Sequence, residues 1–431
     1  MNARFDQAID AFREVVDAPM ATFFASCVRC GLCAEACLFY TETQDPRFTP
    51  IHKLEPLRRF WEQYCTVMGR VERWLGLSKP LDLEELTAWG PLVYDACTLC
   101  ARCSMACPAG NDIVGMVRKM REGMSLAGVA PEDLVGATQR AITVGSPMGI
   151  KTETLMAQIR AQERETGLHI PLNQANVEYM VLLSSMEIIQ FPEIIGALAR
   201  IFQHVGATWT ISTDAFEATN SGIQLGVSDL AREILLRVVN AAERLRVKTV
   251  ISPECGHAFT ALRWEGPNLI GRRYTFEVLH ILEVLAGFQR EGRLHLKQRD
   301  KDARPLSFHD PCQIARRGGV LEEPRVLLHA ISEDFRELPD NRAYSWCCGG
   351  GGGVSSIERA EPLRARVFRK KLSQIEELGV HTLVTACANC HIIIEDGVEF
   401  YQVKVDVVGL TEMVAEHLDE QAARVRVGDK S

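Results

Sequence analysis

The apolar positions change period partway along the chain. In residues 1–130 they recur at steps of three and four. Leu54, Leu57, Phe60 and Trp61 share one face of a helix predicted over 52–64, begun just after Pro50. A second helix is predicted over 83–94. No alternation of apolar and polar residues, the mark of a half-buried strand, interrupts this stretch. Helices over 132–142 and 152–164 follow, closed by a loop over 167–176. From Tyr179 onward, short apolar runs alternate with longer amphipathic ones, the texture of α/β folding.

An internal repeat organises the second half. Residues 220–228, which start Asn220-Ser221-Gly222, align with residues 347–355, which start Cys347-Cys348-Gly349. Each segment leads into a predicted helix (229–245 and 358–378) and then a predicted strand (247–252 and 380–385). Each strand runs into a cysteine-bearing loop closed by His257 or His391. The pattern predicts two related α/β lobes, 178–300 and 301–431, after a helical domain over 1–130 and a helical connector over 131–177. The second lobe keeps its cysteines. The first has Asn220-Ser221 in place of the cysteine pair and only Cys255 in its later loop.

Bulk composition changes this picture little. A chain of 431 residues is long enough for two or three domains, and a net charge of −8 argues against a nucleic-acid binder. Residues 1–17 are polar and acidic, with no basic or apolar signal-peptide segment, and no run approaches the ~18 apolar residues of a membrane span. The expectation is a cytoplasmic protein with no direct membrane span, reaching the inner membrane, if at all, through partners. The cysteines matter more. Thirteen of the fifteen fall in tight clusters, which suits metal ligation better than disulfides.

In the front domain the runs are Cys27-x2-Cys30-x2-Cys33-x3-Cys37 and Cys97-x2-Cys100-x2-Cys103-x3-Cys107-Pro108, with 59 residues between them. A cube of iron and sulfide needs four converging thiolates. Three come from one tight loop, and the fourth comes from the other run. Cys27, Cys30, Cys33 and Cys107 are therefore assigned to one [4Fe–4S] cluster. Cys97, Cys100, Cys103 and Cys37 are assigned to another. Paired structural zinc sites are the competing reading, and a three-plus-one split made twice fits them poorly. Leu38 rather than proline follows Cys37, which removes a chain-turning residue but no ligand.

In the back lobe, His309-Asp310-Pro311-Cys312 is separated by 34 residues from Cys347-Cys348-Gly349, and 38 residues lie between Cys348 and Cys387-x2-Cys390. Adjacent cysteines serve one small ion poorly but can reach two irons of a larger cluster, and five thiolates exceed the needs of a cube. The glycine run 349–353 permits a close backbone approach to a bulky inorganic group and leads into a helix start at Ser355 or Ser356.

On these residues the chain resembles the HdrD-like family of heterodisulfide reductases, in which HdrC-type and HdrB-type parts are fused. The back spacing is similar to the cysteine-rich CCG domain of the HdrB type, and the front half resembles the HdrC type. Their fusion in one chain resembles HdrD and its relatives, among them DsrK and the B subunit of the sulfur-oxidising heterodisulfide-reductase-like (sHdr) complex. The resemblance covers about residues 20–420. It implies a helical dicluster ferredoxin domain followed by an α/β CCG domain. It also implies that Cys312, Cys347, Cys348, Cys387 and Cys390 hold one noncubane cluster of two fused iron–sulfur units. The parent HdrB type has two. Asn220-Ser221 leaves this chain at most one, which favours the single-site relatives, as does the loop Ser252-Pro253-Glu254-Cys255-Gly256-His257.

The resemblance implies an oxidoreductase subunit of a redox complex. Its partners would be a flavin or iron–sulfur subunit or a membrane cytochrome. Its substrate would be a small thiol disulfide, a DsrC-like cysteine arm or a lipoate-bearing sulfur carrier. A pure electron conduit, as in glycolate, lactate or glycerol-3-phosphate dehydrogenase complexes, is the alternative. Cys255 can be a redox thiol or a buried inert one, and Cys65 reads as core. His309, His257 and His391 can act near a cluster or simply pack loops. Arg316 and Arg317 can receive an anion. Arg359, Arg364, Arg366, Arg369, Lys370 and Lys371 read as a solvated helix face before a docking site.

Overall fold

A computed structural model describes residues 3–78, 81–252, 254–300 and 304–421. Pro253 of the Cys255 loop lies outside the described residues. The chain divides into two compact units, and the division does not follow sequence order. The first holds residues up to Thr138 together with Ser221–Leu230 and Gly349–Lys370. The second holds Gln139–Asn220, Ala231–Cys348 and the remainder from Lys371. The chain thus changes unit at the Cys348–Gly349 peptide bond.

The first unit contains helices and turns, with no strand among its described residues. The helix expected over 52–64 is broken. Pro50–Lys53 and Glu55–Phe60 are separate helical pieces, and a wider turn over Trp61–Cys65 closes the second. Pro56 accounts for the break, because it has no N–H to continue the ladder. Pro91 does the same after Leu83–Gly90, where a wide turn over Pro91–Asp95 ends the expected helix. Asp82 and Asp112 cap their helices, each accepting an N–H from the first turn, Glu85 at 2.7 Å and Gly115 at 3.0 Å. Helix Ala3–Glu14 packs on Ile113–Leu126, and Phe12, Leu57, Phe60, Tyr94 and Met120 form a core that Leu225, Val354 and Ile357 complete.

A buried cation binds these distant segments. Arg121 is 0% exposed, and its five acceptors are all backbone carbonyls: Val93, Tyr94, Cys97, Gln224 and Gly352. The Cys97 bond is 2.7 Å, and the Gln224 and Gly352 bonds are 2.6 Å each. Gly352 explains part of the glycine run. Its φ is +62°, and a Cβ there would lie 2.6 Å from the Thr98 carbonyl carbon. The close approach at Gly352 is to the loop bearing Cys97. No long helix starts at Ser355 or Ser356. Single turns over Val354–Ser356 and Glu358–Ala360 precede Glu361–Leu378, whose start fits Pro362 in its first turn.

The second unit carries two parallel sheets. Strands β1 (Tyr179–Val181), β2 (Trp209–Thr210), β3 (Thr249–Ser252) and β4 (Glu277–His280) lie in the order β2-β1-β3-β4. Strands β5 (Leu306–His309), β6 (Thr382–Thr385) and β7 (Asp406–Gly409) lie in the order β5-β6-β7. Both β3 and β6 start two residues later than the apolar pattern suggested, and both are buried along their whole length, as parallel strands flanked by helices are. Each then runs into an extended cysteine at a helix start. Cys255 (φ −131°, ψ 98°) precedes Gly256–Thr260, and Cys387 (φ −148°, ψ 110°) precedes Ala388–Phe400.

Removing the guanidinium would strand five buried carbonyls. Arg121→Met is expected to destabilise the protein by about 3 kcal/mol or more. Thermal unfolding of the purified variant checks this, and a melting temperature equal to the native one would contradict it.

Candidate iron–sulfur centres

The two front loops share one backbone shape. Arg29 and Leu99 occupy corresponding positions and both are left-handed, at φ +55° and +54°. So do Gly31 and Ala101, at +84° and +64°. Only glycine adopts this region freely, so Arg29, Leu99 and Ala101 each carry roughly 1 kcal/mol of backbone strain. The alternation curls each loop so that its three cysteines turn toward one space. The short helices Leu32–Glu35 and Arg102–Met105 start directly from it.

Cys27, Cys30, Cys33 and Cys107 line one cavity, with Pro108, Ile51 and Leu54 among its apolar walls. Cys37, Cys97, Cys100 and Cys103 line a second. The four sulfurs of each set feel one another. Burial, followed by the charges of Cys27, Cys30 and Cys107, pushes the Cys33 thiol up to about 11. Burial, then Cys100, Cys37 and Cys97, raises Cys103 well above the ordinary thiol value. Sequence reasoning missed the cation in the second cavity. Lys53 is 2% exposed, and its Nζ lies 3.6 Å from Cys37 Sγ and 2.5 Å from the Ala96 carbonyl. A lysine among apolar helix positions gave no local signal of this role.

Five further cysteines meet in the second unit. Cys312 Sγ lies 3.8 Å from Cys347 Sγ, and Cys348 Sγ lies 3.3 Å from Cys390 Sγ. Cys387 joins Cys390. Its thiol is lowered first by the Cys390 side chain and then by backbone N–H groups, including that of Gly256, while Cys390 is raised well above the usual value. The five are 1–7% exposed. Their loops are anchored. The Asp310 carboxylate receives both arms of the buried Arg325, at 2.5 and 2.7 Å, and the Arg342 N–H at 2.7 Å. The Ala388 N–H donates to the Glu254 carbonyl at 2.7 Å, tying the Cys387 loop to the Cys255 loop.

The other residues singled out fall into two groups. Cys255 is half-buried. It lies 3.6 Å from the Thr219 hydroxyl, and burial, then Cys387, pushes its thiol up to about 12. His309 is fully buried beside Cys348 and Cys390. His391 is a packing residue. It stacks on Phe191 at 4.2 Å between centroids, its Nε2 lies 3.2 Å from the Val407 carbonyl, and burial lowers it to about 4. His257 sits in Gly256–Thr260. Arg316 donates to the Ala343 and Ser345 carbonyls, and Arg317 lies 3.4 Å from Glu265, so both guanidinium groups are engaged within the protein. The basic helix is not a uniform solvated face. Lys371 is 0% exposed and bonds Gln374 at 3.0 Å, and Arg359 pairs with Asp95 at 2.7 Å. Cys65, in the turn Trp61–Cys65, packs against the first core.

These donor sets fit iron–sulfur clusters. Buried thiols that raise one another's proton affinity require a cation between them to lie together as thiolates, and none of the thirteen is bonded to another as a disulfide. Residues 26–112 match the 4Fe-4S dicluster domain, and residues 306–395 match the cysteine-rich domain CCG. The chain is 27% identical, over 95% of its length, to the Hdr-like menaquinol oxidoreductase iron-sulfur subunit of Archaeoglobus profundus, of which it covers 82%. It is 25% identical, over 91% of its length, to the D subunit of the dihydromethanophenazine:CoB--CoM heterodisulfide reductase of Methanosarcina acetivorans, of which it covers 93%. It is also 25% identical, over 87% of its length, to the EtfAB:quinone oxidoreductase of Syntrophomonas wolfei, of which it covers 55%. The chain is an iron–sulfur protein that joins a dicluster ferredoxin domain to a CCG domain. Along most of its length it is similar to subunits named for heterodisulfide reductase and Hdr-like oxidoreductases.

Two predictions concern this architecture. Ala101→Gly relieves a left-handed alanine and is expected to leave stability unchanged or raised by up to about 1 kcal/mol, whereas Ala101→Val lowers it and reduces bound iron. Chemical unfolding and iron analysis of the two variants check this. The second prediction concerns the buried acids Glu187 and Glu254 and the half-buried Glu412. Burial pushes Glu187 up to about 7 and Glu412 up to about 8, and it raises Glu254, with Glu412 adding to the rise. Such acids contribute stability that is complete below their unfolded value of about 4.5 and is lost as pH climbs through 7 to 8. Glu412→Gln stays neutral, so its melting temperature is expected to fall less than the native one between about pH 6 and pH 9. An equal fall in both proteins would contradict this.

Proposed function

We propose that this chain is the iron–sulfur subunit of a heterodisulfide-reductase-like complex. It would pass electrons between two [4Fe–4S] cubanes and one noncubane cluster that reduces or forms a disulfide, or handles a sulfur carrier. Cys27, Cys30, Cys33 and Cys107 would hold one cubane, and Cys37, Cys97, Cys100 and Cys103 the other. Cys312, Cys347, Cys348, Cys387 and Cys390 would hold the third cluster, with Cys255 as a redox thiol next to Cys387. The observation that carries this reading is the convergence of those five buried thiols in two close pairs.

When bound, the third cluster would supply an iron that exchanges electrons with a sulfur atom. Disulfide cleavage takes two electrons. The chain's own residues set the conditions. Lys53 and Arg121 place positive charge beside the Cys37 and Cys97 loops, which favours the more negative, reduced state there. The Cys390 side chain, and after it backbone N–H groups including that of Gly256, lower the Cys387 thiol and favour its ionised form. The matched extended conformations of Cys255 and Cys387 support two related lobes, 178–300 and 301–431, of which the first has lost its cluster and now braces the second. The rest of the domain reading is a helical front over 1–130 and a connector over 131–177.

Most relatives work in complexes, so the partners would be a flavin or iron–sulfur subunit or a membrane cytochrome. No described helix is long and apolar enough to cross a membrane. Free cysteines in this number suit the reducing cytoplasm, and membrane contact would come through a partner. A second reading is an electron conduit to a quinone. The 1–7% exposure of the five thiols favours it, since a bulky substrate must reach them, and relatives named as menaquinol and quinone oxidoreductases point the same way.

Electron paramagnetic resonance of the anaerobically purified protein separates the two. Under the first reading, a signal distinct from the cubanes changes when a thiol or disulfide is added. Under the second, it is unmoved by either and responds only to potential. In the same titration, Lys53→Met is expected to lower the potential of one cubane and leave the other unchanged. Equal potentials in variant and native protein would contradict the role given to Lys53.

A further inference from the structure

His309 ends β5 and is 0% exposed, yet among the described residues neither of its ring nitrogens has a hydrogen-bond partner. Native proteins rarely bury polar atoms in this way, and such atoms ask for an explanation. Its neighbours supply one. A ring nitrogen of His309, Cys348 Sγ and Cys390 Sγ all lie within 4.8 Å of one another. The ring is also held in place. Asp310, the next residue, is clamped by Arg325 and by the Arg342 N–H, and its carbonyl accepts the Ser345 hydroxyl at 2.9 Å. His309 pairs in register with Thr385 of β6, whose hydroxyl is likewise buried without a partner.

We infer that His309 is a nitrogen ligand of the metal centre that Cys348 and Cys390 help to hold, so that the centre has a mixed sulfur and nitrogen donor set. The inference rests on reading the five cysteines as a metal site, and it adds a sixth donor that the cysteine spacing does not contain. A neutral imidazole brings no negative charge, whereas each thiolate brings one. Histidine ligation raises the potential of iron–sulfur centres. His309 thereby makes this centre a better electron acceptor than an all-thiolate one.

Pulsed electron paramagnetic resonance of the full-length, cluster-loaded protein tests this. Cells are fed heavy-nitrogen histidine, and iron and zinc are counted in the same samples. The expected result is a directly coordinated nitrogen coupling on the third centre that shifts with the label. It is lost in His309→Leu and retained in His257→Gln. Iron well above the ~8 of two cubanes without that coupling, or with a coupling that survives in His309→Leu, overturns the inference and leaves the cluster reading standing. Iron that stops at about 8, with about one zinc per chain, overturns the cluster reading instead. X-ray absorption at zinc then decides for His309 if one nitrogen is lost in the variant, and against it if the shell is all sulfur. Should His309→Leu fail to fold, His309→Cys supplies a thiolate. It is expected to keep the metal, lose the coupling and lower the potential, and a retained coupling overturns the inference.

Discussion

Sulfur atoms that can ionise repel one another when a fold drives them together away from water, and this repulsion is the constraint on which the structure turns. Cys33 is pushed up to about 11, and Cys103 and Cys390 are pushed higher than an ordinary thiol, each partly by its neighbours. Without metal, burial and mutual repulsion keep these sulfurs as neutral thiols rather than thiolates. With iron and sulfide between them the same convergence becomes favourable, because the metal stabilises the deprotonated form that burial penalises. Folding and cofactor binding are therefore one balance in this protein.

The surrounding structure reads as a response to that balance. The front loops accept left-handed strain at Arg29, Leu99 and Ala101 to aim three cysteines inward. Lys53 and Arg121 bring buried positive charge to the Cys37 and Cys97 loops, and neither is neutralised by a carboxylate: Arg121 bonds backbone carbonyls alone, and Lys53 bonds Ala96 and faces Cys37. A buried guanidinium is expensive without compensating negative charge, and a thiolate cluster is a source of it. In the second unit the Asp310–Arg325 pair and the Glu254–Ala388 bond fix the loops that carry Cys312 and Cys387.

Much of this was legible in the sequence, for a definite reason. Spacings of two residues between cysteines constrain a loop covalently, so the grouping of Cys27, Cys30 and Cys33 needs no knowledge of the rest of the fold. The crosswise partner Cys107 followed from cluster stoichiometry, and the four line one cavity. Helix periodicity located the long helices, but proline broke or shifted three of them, at Pro56, Pro91 and Pro362. What stayed hidden depends on contacts between residues far apart in sequence. Lys53 carries no local mark of the cavity it enters. Gly352 looked like a cradle for a cluster, yet it makes room for Thr98. Nothing local showed that 221–230 and 349–370 pack into the helical unit rather than the sheets they flank.

Both units therefore carry cysteine sets arranged for iron, and the chain passes from one unit to the other directly after Cys348. The central claim is that Cys312, Cys347, Cys348, Cys387 and Cys390 hold a third iron–sulfur centre of a type different from the front two. Mössbauer spectroscopy of the isotope-enriched, full-length protein tests it most directly. The account predicts a set of iron sites separate from the cubane signals that disappears in Cys347→Ser/Cys348→Ser while the cubane signals persist. A native spectrum made up of cubane iron alone would contradict it.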